Sequence, residues 1–232
     1  MLIDAILTPA DIATLPQRDL SGVTCVVFDI LRATSSMVTA LANGALEIYP
    51  VRSIEEALEL KARLPEAILG GERHGDLIQG FDVGNSPLEY TEFPGRRIIT
   101  TTTNGTVALR ACEKASRVLV GSLLNLNALH AAVAEDSQLL LVCAGTFDTF
   151  ALEDAIAAGA LAGRFPTAEL TDAARATLAI ARAYPSALDG LLTSRNGSVL
   201  ATRGWRDQVE WCAQVSRFDV VGAMSAGIIQ AI

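Results

Sequence analysis

The stretch "TCVVFDILRATSS", residues 24–36, decides the fold. Its first seven residues form an apolar, β-branched run that reads as a buried strand with an acid, Asp29, near its end. The next apolar period has helical spacing, from about Thr34 to Asn43, and Gly44 is a good helix stop. The same unit recurs down the chain. "LEIYPV" (46–51) is a strand, followed by a helix whose Ser53 and Glu56 stand at capping-box spacing, and "AILG" (67–70) is a short strand. Strands at 97–101, 117–121 and 138–144 are each followed by a helix, at 105–115, 125–135 and about 152–163. Strands alternating with helices imply an α/β fold whose mostly parallel sheet is covered on both faces.

From Thr167 the pattern becomes mainly helical, through "TDAARATLAIARAY", "PSALDGLLTS" and "GWRDQVEWCAQV". The closing "RFDVVGAM" reads as either an added strand or a tail on the core. Two divisions are compatible with this: a core over 1–165 with a helix-rich C-terminal region over 166–232 packed on it, or a single domain over 1–232. No linker separates the parts.

Half of the residues are hydrophobic and only 19% are charged, so a sizeable packed core is expected. The net charge of −8 argues against non-specific nucleic-acid binding, which needs a basic footprint. An anionic substrate would need a local cationic pocket or a metal ion to offset that field. Lys61 and Lys114 are the only lysines, and both fall in predicted helices away from the glycine-rich loops, which excludes a P-loop. Cys25, Cys112, Cys143 and Cys212 form no CxxC pair. The start "MLIDAILTPADI" lacks the basic region of a leader, and no apolar run reaches membrane-span length. The expectation is a reduced cytoplasmic protein with no membrane or nucleic-acid partner; the apolar content is compatible with a homodimer.

In an open α/β sheet, ligands bind beyond the carboxyl ends of the strands. Four such ends carry conspicuous polar sequence: "FDILRATSS", "GGERHGD", "TTTNGT" and "CAGTFDTFALED". In the third, Thr102, Thr103 and Asn104 precede a helix opening at Gly105 and Thr106, an arrangement that suits an anion or ordinary capping. In the first, Arg32 adds a guanidinium fork beside Thr34 and Ser35. Asp29 ends an otherwise apolar strand, where a carboxylate must be paired, capping or metal-bound. Glu72 stands at another strand end, and Glu153 and Asp154 open a helix, where carboxylates are favoured with or without a ligand. Carboxylates converging on one sheet edge could hold Mg²⁺.

The 25 residues from Gly71 to Gly95 are too long for an idle connection and read as an ordered active-site loop. Spacing removes two phosphatase chemistries: a Cys-x5-Arg loop from Cys143 meets Thr149, and a DxD motif from Asp29 meets Leu31. Arg73-His74-Gly75 matches the start of a phosphohistidine signature, but the second histidine that chemistry needs could only be His130, inside a predicted helix.

"VVFDILRATSSMVTALANGA", "GGERHGDLIQGFDVGNSPLEY", "TTTNGTVAL" and "CAGTFDTFALEDAIAAGA" together resemble the 2-phosphosulfolactate phosphatases over most of residues 23–163, with a weaker echo in "GWRDQVEWCAQVSRFDVVGAM". The resemblance implies a three-layer α/β/α fold and Mg²⁺-dependent hydrolysis of (2R)-phospho-3-sulfolactate on the route to coenzyme M. It carries over Asp29, Arg32, Glu72, Arg73, Asp82, Asn85, Ser86, Thr102, Asn104, Thr106, Glu153 and Asp154 as family positions. His74 matches no fixed position.

The expected mechanism is metal-assisted phosphomonoester hydrolysis. Asp29, Glu72 and one or both of Glu153 and Asp154 would hold Mg²⁺. Arg32, Arg73 and the amides of Thr102–Thr106 would clamp the phosphoryl and the sulfonate or carboxylate oxygens. The nucleophile would be a metal-oriented water or a carboxylate, for which Asp29 is the better candidate. The glycines of the long loop would allow close backbone approach to a small anion. Two alternatives stay open: a phosphatase for another small phospho-hydroxy acid, and an anion-binding protein without turnover.

Overall fold

The computed structural model describes residues 1–232. In chain order its strands are β1 (Leu2–Ile6), β2 (Thr24–Phe28), β3 (Glu47–Pro50), β4 (Ile68–Arg73), β5 (Asp76–Leu77), β6 (Arg97–Thr101), β7 (Arg117–Gly121), β8 (Gln138–Cys143), β9 (Glu169–Leu170), β10 (Gly222–Ser225) and β11 (Ile228–Ala231). The helices are α1 (Pro9–Ile12), α2 (Ala33–Ala42), α3 (Ile54–Arg63), α4 (Gly105–Ala111), α5 (Leu126–Ala132), α6 (Leu152–Ala162), α7 (Asp172–Ala183), α8 (Ala187–Thr193), α9 (Arg195–Thr202) and α10 (Arg206–Cys212). The strands form one sheet in the order β5-β4-β6-β3-β11-β10-β7-β2-β8-β1-β9.

The apolar run that opens the sequence reading becomes β2, paired in parallel with β7 on one side and β8 on the other. Cys25 and Val27 face a core shared with α2 and α4, whereas Val26 and Phe28 face a second core built with α5, α6 and the C-terminal helices. Burial on both faces explains why the strand shows no polar alternation. A third, smaller core packs Ala57 and Leu60 of α3 against Leu69 and Ile99, so helices cover both sides of the sheet. This is the three-layer α/β/α arrangement.

Several elements depart from the sequence reading. The strand expected at 67–70 runs on to Arg73 and turns back as β5, and a 3-10 helix at Pro87–Tyr90 orders the rest of the long loop. The helix expected over 105–115 ends at Ala111, and that over 125–135 ends at Ala132. The N-terminal LIDAI is a strand, β1, which gains its stability from parallel pairing with β8 along its whole length. At the other end of the chain, β10 and β11 form a hairpin in the middle of the sheet, between β7 and β3. Residues 166–232 thus contribute β9, four helices and this central hairpin.

The hairpin has a geometric consequence. It is antiparallel to β7 through β10 and to β3 through β11, so β3, β6 and β4 run opposite in sense to β7, β2, β8 and β1. In a flat sheet the carboxyl ends of the two halves would lie on opposite edges. Five strand-to-strand steps separate β2 from β6, and at about 20–25° of twist per step the strand direction rotates by roughly 100–125°. The twist therefore undoes most of the reversal and brings the ends of β4 and β6 round to those of β2 and β8.

Helices α6 and α7 pack closely. A Cβ placed on Gly159 would stand 2.0 Å from the Thr177 carbonyl oxygen. Gly159→Ala must part the two helices, and overpacking of this kind costs about 1–3 kcal/mol. The expected outcome is a lower urea midpoint, and an unchanged midpoint would show that α6 and α7 separate freely.

Candidate active site

The ends of β2, β4, β6 and β8 and the start of α9 enclose one cleft of about 260 Å³. Asp29 and Arg32 line it after β2, Glu72 and Gly75 around the end of β4, Thr103 and Asn104 after β6, and Thr146 after β8. The four polar strand ends singled out in the sequence are the four that meet here. Asp29, Arg32, Glu72, Glu153 and Asp154 are also the only charged residues buried anywhere in the chain. Unpaired buried charge is costly, so its concentration around a single cleft marks the site.

Each acid has defined partners. Asp29 Oδ1 accepts from the Ala33 amide at 3.2 Å and so caps α2, while the Gly105 amide also stabilises the carboxylate. Burial, the largest effect, together with the charges of Glu72 and Glu153, pushes the Asp29 carboxyl up to about 7 against these amides. Glu72 Oε1 accepts from the Thr103 amide at 2.7 Å and Oε2 from the Gly75 amide at 2.6 Å. Asp154 Oδ1 accepts from the Ile30 amide at 2.8 Å and Oδ2 from the Gly145 amide at 3.0 Å. Burial, then Glu153 and Asp29, hold the Asp154 carboxyl well above the usual range. Glu153 is raised mainly by burial, and its Oε1 accepts from Asn196 Nδ2 at 2.8 Å.

These bonds link the loops in sequence. Asp154 joins the segment after β2 to that after β8. Asn104 joins the segment after β8 to that after β6, donating to the Ala144 and Phe147 carbonyls and accepting from the Phe147 amide at 3.0 Å. Glu72 joins the end of β4 to the segment after β6. Arg32 closes the circuit by donating to the Gly75 carbonyl at 3.0 Å, and it also bonds Gln208. At the mouth, the His74 and Phe147 rings stack with centroids 5.9 Å apart, each on a residue with left-handed backbone, φ 55° and 52°.

The other residues named from the sequence divide by position. Asn85, Thr103 and Asn104 line the cleft with Asp29, Arg32 and Glu72. Gly105 lies against Asp29, where a Cβ would stand 2.6 Å from Oδ2. Thr34 bonds the Asp29 backbone, and Ser35 bonds the Ile30 carbonyl and Ser122. Thr102 and Thr106 bond one another across the first turn of α4. Ser86 caps the 3-10 helix at Pro87–Tyr90, and Asp82 accepts from the Leu69 amide. Arg73 donates to the Glu72 carbonyl and to Thr101 Oγ1, outside the cleft lining. The amides of Thr103, Gly105 and Thr106 are engaged by Glu72, Asp29 and Thr102. Gly70 and Gly71 leave room for the Tyr90 hydroxyl and the Thr101 carbonyl rather than for an anion.

Sequence reasoning missed the contribution of α9 and α10. Arg195, Asn196 and Arg203 line the cleft, and Trp205 stacks on Arg32 at 5.2 Å. The only signal was the polar "TSRNG" between two helical periods, which reads equally well as a turn.

Known proteins related to this chain match it over most of its length. A "Probable 2-phosphosulfolactate phosphatase" from Symbiobacterium thermophilum is 40% identical over 222 residues, covering 91% of this chain and 95% of its own. Proteins given the same description from Carboxydothermus hydrogenoformans (41% identity, 84% of each chain) and Clostridium acetobutylicum (43% identity, 75% of this chain and 76% of its own) are similarly related. The profile of the family described as 2-phosphosulpholactate phosphatase matches residues 9–227, a span that takes in all four strand ends and the α9 wall. The chain belongs to the 2-phosphosulpholactate phosphatase family.

Proposed function

We propose that this chain hydrolyses the phosphomonoester of 2-phospho-3-sulfolactate to 3-sulfolactate and phosphate in a magnesium-dependent reaction, the kind of step found on the route to coenzyme M. The observation that carries this reading is the gathering of all the buried charges of the chain, four acids and one arginine, around a single cleft. An anion-binding pocket has no use for an excess of buried carboxylates, whereas a divalent cation offsets them.

The donor set fits magnesium of one kind. No three Asp, Glu, His or Cys side chains gather into a metal cage. Mg²⁺ is commonly held by one or two carboxylates, with waters and substrate phosphate completing its shell. Asp29 and Glu72, the two carboxylates that line the cleft, would hold it in this way. Bound there, the ion would neutralise charge on the phosphoryl group and on the departing alkoxide.

The chain's own groups supply the rest. Asp29 lies at the floor, where it either attacks phosphorus or orients the attacking water. Arg32 is buried beside it and pre-positioned by Gly75 and Gln208, so its charge meets the phosphoryl oxygens without reorganisation. Glu153 holds Asn196, and Asp154 holds two backbone amides; their role is to fix the walls.

Phosphate release should be followed from 2-phosphosulfolactate, 2-phospholactate and 2-phosphoglycerate, with Mg²⁺ and with EDTA. The expected result is Mg²⁺-dependent release favouring the sulfonate; release only from another ester would reassign the substrate, and full activity in EDTA would remove the metal. Asp29→Asn should lower kcat by about 10²–10⁴-fold with the circular dichroism spectrum retained, and a variant with near-normal kcat would take Asp29 out of the chemistry. Asp154→Asn points an amide NH₂ at a backbone N–H. It should cost about 1–3 kcal/mol in urea unfolding, and undiminished stability would contradict its role as a clamp.

A further inference from the structure

Three arginines line the cleft, Arg32, Arg195 and Arg203, and two of them are committed. Arg32 is bonded to Gln208 and to the Gly75 carbonyl. Arg203 is ion-paired with Asp76 and lies over the Trp205 ring at 4.1 Å. Arg195 alone has neither an ion pair nor a side-chain hydrogen bond within the chain. Its guanidinium carbon lies 5.6 Å from the centre of the Phe147 ring. A cation–π contact uses no hydrogen-bond acceptor, so the N–H donors of the guanidinium remain available.

The backbone that carries this free cation is fixed. Arg195 is the first residue of α9, after the cap Ser194. Its neighbour Asn196 donates to Thr146 Oγ1 at 2.6 Å and to Glu153 Oε1 at 2.8 Å. The start of α9 is thereby fastened to the loop after β8 and to the first turn of α6. Asp29 and Arg32 are buried at the floor, and Arg195 is exposed at the mouth.

We propose that Arg195 is a specificity-determining residue that binds the sulfonate of the substrate, the anionic group one carbon removed from the phosphoester carbon. The inference rests on the phosphatase reading above. With the phosphoryl group at the floor, the remaining anionic groups of a small substrate extend toward the mouth. An uncommitted planar fork there matches a pair of sulfonate oxygens.

The test compares two substrates that differ only at that group: 2-phosphosulfolactate and 2-phospholactate, in which a methyl group replaces the sulfonatomethyl arm. 2-Phospholactate serves as a competitive inhibitor where its turnover is too slow to follow. Arg195→Gln should raise KM for 2-phosphosulfolactate by about 10–100-fold, with kcat changed by less than about threefold, and leave the constants for 2-phospholactate within about twofold. Arg195→Lys, which keeps the charge, should recover part of the loss. Equal losses on both substrates, no loss on either, or a lysine variant no better than glutamine would each refute the assignment while leaving the phosphatase reading intact. Wild-type protein with no activity on 2-phosphosulfolactate would instead defeat that reading, and this inference with it.

Discussion

Four loops from four different strands are held in a closed circuit by side chains that reach across to backbone. Asp154 ties the loop after β2 to that after β8, Asn104 ties β8 to β6, Glu72 ties β6 to β4, and Arg32 returns from β4 to β2. Every link is a charged or amide group satisfied by main-chain partners. In a low-dielectric wall such bonds are strong when complete and costly when broken. The shape of the cleft and its electrostatic character thus have one origin, because the acids that charge the site also position its walls. It follows that a substitution in this circuit alters structure and chemistry together unless stability is measured alongside rate.

The sheet that presents these loops was largely legible. β6 and β7 occupy the ranges indicated by their apolar runs, and the β2–α2 unit follows from a buried strand, a helical period and a glycine stop. The central hairpin was legible only in part: the closing "RFDVVGAM" allowed an added strand, and β10 takes up its last three residues, but β11 and the turn were not foreseen. Its two strands are four residues each, and its turn, Ala226-Gly227, has φ of 49° and 77°. That conformation usually announces itself as Asn-Gly or Asp-Gly. With alanine in the first position the local signal disappears, and only pairing with β7 and β3 selects the turn. β1 was hidden for a similar reason, since five residues with one central acid gain strand character only beside β8.

At the site, residue type was readable but orientation was not. Glycine, threonine and asparagine after β6 suggested amides waiting for a phosphate. Those amides instead hold the carboxylates of Glu72 and Asp29, an interaction between segments 31 and 76 residues apart. Arg73 and Arg32 look alike in sequence, yet one turns to Thr101 and the other into the cleft. Strand pleat and loop closure decide such matters, and neither is encoded locally. The α9 wall was the hardest part to foresee, because Arg195 and Asn196 reach the site only through the packing of helices beyond the strand–helix alternation.

The position of the β10–β11 hairpin bears on how the molecule is made. The two halves of the sheet leave the ribosome first, each with an open strand edge, and the segment that joins them emerges after every other element. Until it does, β3 and β7 have no shared neighbour in the sheet, and the halves are joined only by the loop circuit and the helices packed across them. A nascent chain stalled before Gly222 would therefore expose two strand edges, those of β3 and β7, suited to pairing with other chains.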